Sequence, residues 1–199
     1  MEHPSKVIIA WLVSNCPSEA AELRAPAAQE AIAAAEQRLG VPLPADLVAW
    51  WRAADGMAGR GSLLPPMFTP YSVEEALLSR RSWLDRSERS SLRESVDPDA
   101  LDAQVAMPAG TKCYGIWPPL WLPIAADGGG GDLFIDLRPG PATGCLGWFD
   151  HEEWLFERAS WPSLGVLLAR VAESMTTGTP INGRIPKAVD GRLEWWDEE

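Results

Sequence analysis

Three short apolar runs joined by tight turns constrain this chain more than any other feature. Trp121 to Ala125, Leu133 to Leu137 and Gly144 to Phe149 each have the length of a strand. The first two are linked by Asp127-Gly128-Gly129-Gly130-Gly131-Asp132 and the next two by a turn through Pro139-Gly140-Pro141. A parallel crossover needs about a dozen residues, so these connections close only an antiparallel meander. Alternation puts Leu133, Ile135 and Leu137 on one face of its middle strand.

Helical patterns lie on both sides of the meander. Ile8, Trp11, Leu12 and Asn15 share a face at helical spacing, which predicts a helix from Ser5 to Asn15 ended by Pro17. Pro26 opens a second, Ala27 to Leu39, with Ile32, Ala35 and Leu39 inward, Glu30, Gln37 and Arg38 outward, and Gly40 as its stop. Leu47, Trp50, Trp51 and Ala54 mark a third that Gly56 terminates. Ser72-Val73-Glu74-Glu75 is a capping box and starts a fourth, to about Ser87, with Val73, Ala76, Leu77 and Leu84 apolar. Pro162 falls in the first turn of a closing helix whose stripe is Leu164, Leu167, Leu168, Val171 and Met175. Ile185 to Val189 and Leu193 to Trp196 form a hairpin about Asp190-Gly191. Between Glu88 and Lys112 periodicity fades into a polar excursion, read as mobile, with a short helix after Asp97-Pro98. The class is α+β: a mostly antiparallel central sheet of about four to six strands flanked by helices.

At 199 residues the chain suits one domain with appendages. We divide it into an N-terminal helical extension (1–25), an α+β domain (26–178) with a polar insertion near 88–112, and a C-terminal hairpin (179–199) packing on the same domain. A net charge of −11 argues against general nucleic-acid binding, which needs clustered cations; it would attract a basic partner, or it serves only to keep the chain soluble. Cys16, Cys113 and Cys145 share no metal-ligand spacing and suit a reducing compartment. Val7 to Val13 before Ser14-Asn15-Cys16 has the outline of a lipoprotein box. The run is too short, however, Glu2 stands where a basic residue belongs, and Asn15 replaces a small one. No run approaches the roughly 18 apolar residues of a membrane span. The expected location is cytoplasmic.

Catalytic chemistry finds little to work with. His3 and His151 are the two histidines, and no G-x-S-x-G elbow accompanies either. A hydrolase would have to centre on His151, with Cys113 or Cys145 as the nucleophile nearest in sequence. Asp127, Asp132 and Asp136 around the glycines match neither an EF-hand loop nor a P-loop, and a turn needing positive φ explains them. The carboxylates of His151-Glu152-Glu153 and Asp197-Glu198-Glu199 read as solvated charge. No cofactor or metal is implied.

Eleven tryptophans are the unusual item of composition. Trp50, Trp51 and Trp161 belong with helical faces or a helix start. Trp117, Trp121, Trp148 and Trp154 gather around the meander and have two readings, core or half-exposed recognition surface. Under the second reading the partner-contact candidates are these four with Asp127, Asp132 and His151.

One further pattern bears on function. Ile32-x-x-x-Glu36-x-x-Leu39-Gly40-Val41-Pro42-Leu43-Pro44-x-Asp46-Leu47, ending in Asp55-Gly56, resembles the opening signature of the SUKH superfamily, the Smi/Knr group. Trp121-Leu122-Pro123-Ile124-Ala125, Gly131-Asp132-Leu133-Phe134-Ile135-Asp136-Leu137 and Gly144-x-x-Gly147-Trp148 are similar to its middle signature. Ser163-Leu164 and the helix that follows are similar to its close, so the likeness covers about Pro26 to Met175. It implies an α+β fold without established catalytic residues. Bacterial relatives are often immunity proteins against toxins, many of them nucleases, and fungal ones regulate cell-wall synthesis. Glu36, Asp132 and Asp136 are expected to be structural, the two aspartates bracing the turn. Two roles follow as expectations. One is an immunity protein occluding a basic toxin. The other is a regulatory adaptor whose contact lies in Glu88 to Lys112 or Arg192 to Glu199, either of which could be removed with little loss of stability.

Overall fold

The computed structural model describes residues 3–90, 97–149 and 151–198. Residues 91–96 of the polar excursion and Glu199 of the tail lie outside them. Seven helices and eight strands are found among the described residues. The helices are α1 (Pro4–Asn15), α2 (Pro17–Ala20), α3 (Gln29–Leu39), α4 (Ala45–Ala53), α5 (Val73–Arg89), α6 (Pro98–Ala106) and α7 (Leu164–Thr177). The strands are β1 (Thr69–Pro70), β2 (Cys113–Tyr114), β3 (Trp121–Ala126), β4 (Asp132–Asp136), β5 (Leu146–Phe149), β6 (Leu155–Phe156), β7 (Arg184–Val189) and β8 (Arg192–Asp197).

The meander is present as an antiparallel sheet in the order β1-β3-β4-β5, with β2-β6 and β7-β8 as separate pairs. The fold is α+β, with a four-stranded central sheet. Pro123 stands inside β3 opposite Phe134, and the register shifts between Pro123 and Ala125. A residue without an amide hydrogen is accommodated by such an irregularity.

Every residue of β4 is buried, because the sheet is covered on both faces. Leu133 and Ile135 enter a large aliphatic core with Leu47, Trp51, Leu122 and the α7 stripe. Phe134 points the other way, into a smaller core of Trp83, Cys113, Trp117, Trp121, Phe149 and Phe156. Period-two geometry lets one strand serve both. All five stripe residues of α7 are buried, each contributing roughly 1.5–3 kcal/mol. α1 packs across α7, placing Ile8 and Leu12 in the same core.

Local chemistry sets the helix ends. Ser72 Oγ accepts from Glu75 N while Glu75 Oε2 accepts from Ser72 N, so the capping box closes as expected. Left-handed Gly40 and Gly178 end α3 and α7. Two starts differ from the sequence reading. α3 begins at Gln29 rather than Ala27, because Ala27 N donates to Trp51 O and holds that stretch extended. Pro162 precedes α7, whose N-cap is Ser163 with Oγ accepting from Val166 N.

The appendages are tied in. Leu193 and Trp195 of β8 enter the aliphatic core, and Trp195 Nε1 donates to Ser62 O at 2.7 Å. This corrects the expectation that the tail could be removed at little cost. The excursion is corrected likewise over 97–112: Leu101 of α6 is buried, and Gln104 Oε1 accepts from Tyr114 N at 2.8 Å. No described helix is long and apolar enough to cross a membrane.

Candidate functional site

The β3–β4 turn is organised by one carboxylate. Asp127 Oδ1 accepts from Gly129 N at 2.7 Å and Gly131 N at 3.0 Å. Its Oδ2 accepts from Trp148 Nε1 at 3.2 Å. Gly128 and Gly130 take φ of +77° and +110°, conformations that favour glycine. His151 lies against the turn, its ring 3.2 Å from where a Cβ on Gly130 would stand. Of the seven candidate contact residues, Asp127, Trp148 and His151 are therefore brought together. The brace of the turn is Asp127, not Asp132 or Asp136.

Trp148 pairs across the sheet with Leu133, on the face that bears the aliphatic core. The helical cover stops short of this corner, and Trp148 is 44% exposed. Beside it runs a groove of about 390 Å³ with Leu133 and Leu167 in its lining, along with Pro65, Met67, Phe68, Trp161 and Asp127. A second hollow, about 460 Å³, shares Trp148 and is lined by Glu153, Leu155, Glu157, Arg158 and Ser160. The indole is thus a ridge between an apolar groove and a hollow that holds two carboxylates and one guanidinium.

The other candidates lie inside. Trp117 and Trp121 are buried in the second core, so the expectation that they could meet a partner is corrected. Trp117 stacks on Trp83 at 5.0 Å, and Trp121 stacks on Phe134 at 4.1 Å. The indole N–H groups of both lack a hydrogen-bond acceptor among the described residues. Edge-to-face neighbours surround them, and aromatic faces are weak acceptors. Trp154 is half-buried against Trp83 and Phe149. Gly147, next to Trp148, leaves room for this cluster: a Cβ there would stand 2.5 Å from the rings of Phe134 and Phe156.

Asp132 is buried and committed. It accepts from Tyr71 Oη at 2.8 Å, Trp83 Nε1 at 2.7 Å and the Ser79 hydroxyl. Burial pushes its carboxyl up despite those donors, and desolvation together with Asp132 raises the Tyr71 phenol. Sequence reasoning missed Trp83, favouring Leu77 and Leu84, which are half-buried. The signal was the spacing Ala76, Trp83, Ser87, all buried on one face of α5.

Asp136 forms a buried ion pair with Arg138, Nη2 to Oδ2 at 2.7 Å. Arg138 also donates to Gln104 O and Thr111 O, each at 3.0 Å, and to Cys113 Sγ at 3.3 Å. This node fastens the 104–113 segment to the end of β4, and the sequence reading passed over Arg138. The signature carboxylates are structural too. Glu36 accepts from Leu43 N, Asp46 from Gly165 N and Asp55 from Val73 N, which ties helix ends together.

The hydrolase reading fails on geometry. Cys113 and Cys145 sit at the Asp136 end of β4, and His151 sits at the turn before Asp132. Four residue steps of strand, about 13 Å, separate those ends. Burial also raises both thiols, Cys145 to about 11, the reverse of nucleophile activation. No group of three or more metal-ligating side chains gathers among the described residues.

The profile described as SMI1 / KNR4 family (SUKH-1) matches residues 26–170 of the chain. No curated protein matches it.

Proposed function

The chain belongs to the SMI1/KNR4 family (SUKH-1), and we propose that it acts by binding another protein, as a non-catalytic immunity protein that occludes a basic toxin domain. The observation that supports this most is Trp148, an indole left exposed beside an apolar groove on a chain of net charge −11. Covering that indole would be favourable, and exposed aromatic residues next to apolar hollows are the usual anchors of protein interfaces. Acidic surroundings steer a basic partner and stand where its nucleic-acid phosphates would bind.

The test is co-expression with a toxin-like protein encoded beside the gene. Wild type protects the cell, and the purified pair associates more slowly as salt rises. Trp148→Ala loses protection while its unfolding free energy stays within about 1 kcal/mol of wild type. Unchanged protection by that variant, or no protection against any neighbouring toxin, defeats the proposal.

A second reading, a regulatory adaptor connected with cell-wall synthesis, draws on Trp196. This side chain is exposed on β8 with its Nε1 donating to Glu194. Trp196→Ala would then abolish partner capture, and Trp148→Ala would not.

A further inference from the structure

Building on the protein-recognition reading, we infer that the Trp148 corner takes one kind of occupant: an extended segment of a partner that presents an arginine or lysine beside an aliphatic residue. The argument begins with the backbone of β5, the last strand of the sheet. Leu146 N donates to Trp161 O at 2.9 Å and Leu146 O accepts from Ser160 N at 2.8 Å, so Leu146 turns its peptide groups away from β4. In an antiparallel ladder such outward positions recur at every second residue. Trp148 therefore turns its amide and carbonyl to the same edge, and no bond to either is found among the described residues. A strand entering beside Trp148 continues the pairing that Ser160 and Trp161 begin.

Side chains then decide which strand fits. Asp127 stands on one side of the indole, and Glu153 and Glu157 line the hollow on the other. Arg158 is the cation of that hollow, and Lys112 reaches Glu157 at 3.5 Å from an exposed position. A guanidinium or ammonium over the exposed indole is attracted by the ring and by the carboxylates flanking it. A carboxylate in its place is repelled. The neighbouring aliphatic side chain enters the groove over Leu133 and Leu167.

The experiment titrates the isotope-labelled full chain with blocked peptides of sequence Val-Leu-Arg-Val, in which citrulline or glutamate then replaces arginine. The readout is the Trp148 indole N–H resonance, assigned from W148F. The arginine peptide should shift that signal and bind at least about fivefold tighter than the citrulline peptide. The glutamate peptide should leave it in place, and Glu153→Gln with Glu157→Gln should remove the preference. Equal binding of arginine and citrulline peptides, or no shift from any peptide at millimolar concentration, overturns the inference. Its failure is separable from that of the function. Toxin protection that needs Trp148 but ignores the two glutamine substitutions refutes the cation and leaves protein recognition standing.

Discussion

Replacing Arg138 by methionine keeps an unbranched apolar stem and removes a guanidinium whose donors reach Asp136, two carbonyls and a thiol. Side-chain exposure of the pair is 1% and 0%, so water cannot replace what is lost. Breaking a buried pair by removing one partner costs about 3–5 kcal/mol. Here Asp136 keeps the amides of Gly110 and residue 138 as donors, which argues for the lower half of that range. The Thr111 carbonyl, left with only a long contact from the Cys113 thiol, argues for the upper half, although Gln104 O keeps the Met107 amide. A loss of about 4 kcal/mol would remove a large part of a typical stability of about 5–15 kcal/mol. At about 2–4 °C per kcal/mol for a chain of this size, Tm should fall by roughly 8–16 °C. Asp136→Asn in the same background removes the unpaired charge and should recover about 1–2 kcal/mol. Urea unfolding followed by far-ultraviolet circular dichroism measures both. A loss below about 1 kcal/mol for Arg138→Met, or a double variant no better than the single, would refute the account of this node.

Two further substitutions probe other parts of the fold. Trp195→Ala empties a core position and strands Ser62 O, so it should cost about 3–5 kcal/mol by urea unfolding, whereas a dispensable tail would predict almost nothing. Asp132→Asn tests the sign of a pH dependence. Because burial raises this carboxyl in the folded chain, its contribution to stability is complete below the ordinary carboxylate range and is lost as pH rises through the folded value. The variant lacks that slope, so its stability relative to wild type should climb from about pH 4 toward neutral. Parallel profiles would show that the buried carboxyl is not the cause.

What the sequence disclosed is what neighbours along the chain decide. The Ser72 capping box, the α7 stripe, the Gly40 stop and the Asp190-Gly191 hairpin each rest on a few adjacent residues, and each is present. Trp148 was legible as a tryptophan of the meander, and its exposure was not. It shares a face with buried Leu133, and only the reach of the cover over that face separates them. Trp117 and Trp121 carry the same local signal and end up inside. Arg138 follows a strand and precedes Pro139-Gly140, a setting that suggests a solvated turn. Its burial depends on residues 104–113 folding back over it. Asp132 likewise finds its donors 49 to 61 positions away, on α5 and just before it.

Strand β4 has no idle side. With aliphatic neighbours on one surface and aromatic ones on the other, each of its five side chains is answerable to something, and a slip of one residue would exchange all of them. Substitutions there should be purged almost without regard to type. Trp148, one rung away, answers to so little of the interior that its identity can drift, while Gly147 and Phe149 on either side of it are held by the aromatic core. A chain arranged this way can change what it recognises without renegotiating how it folds.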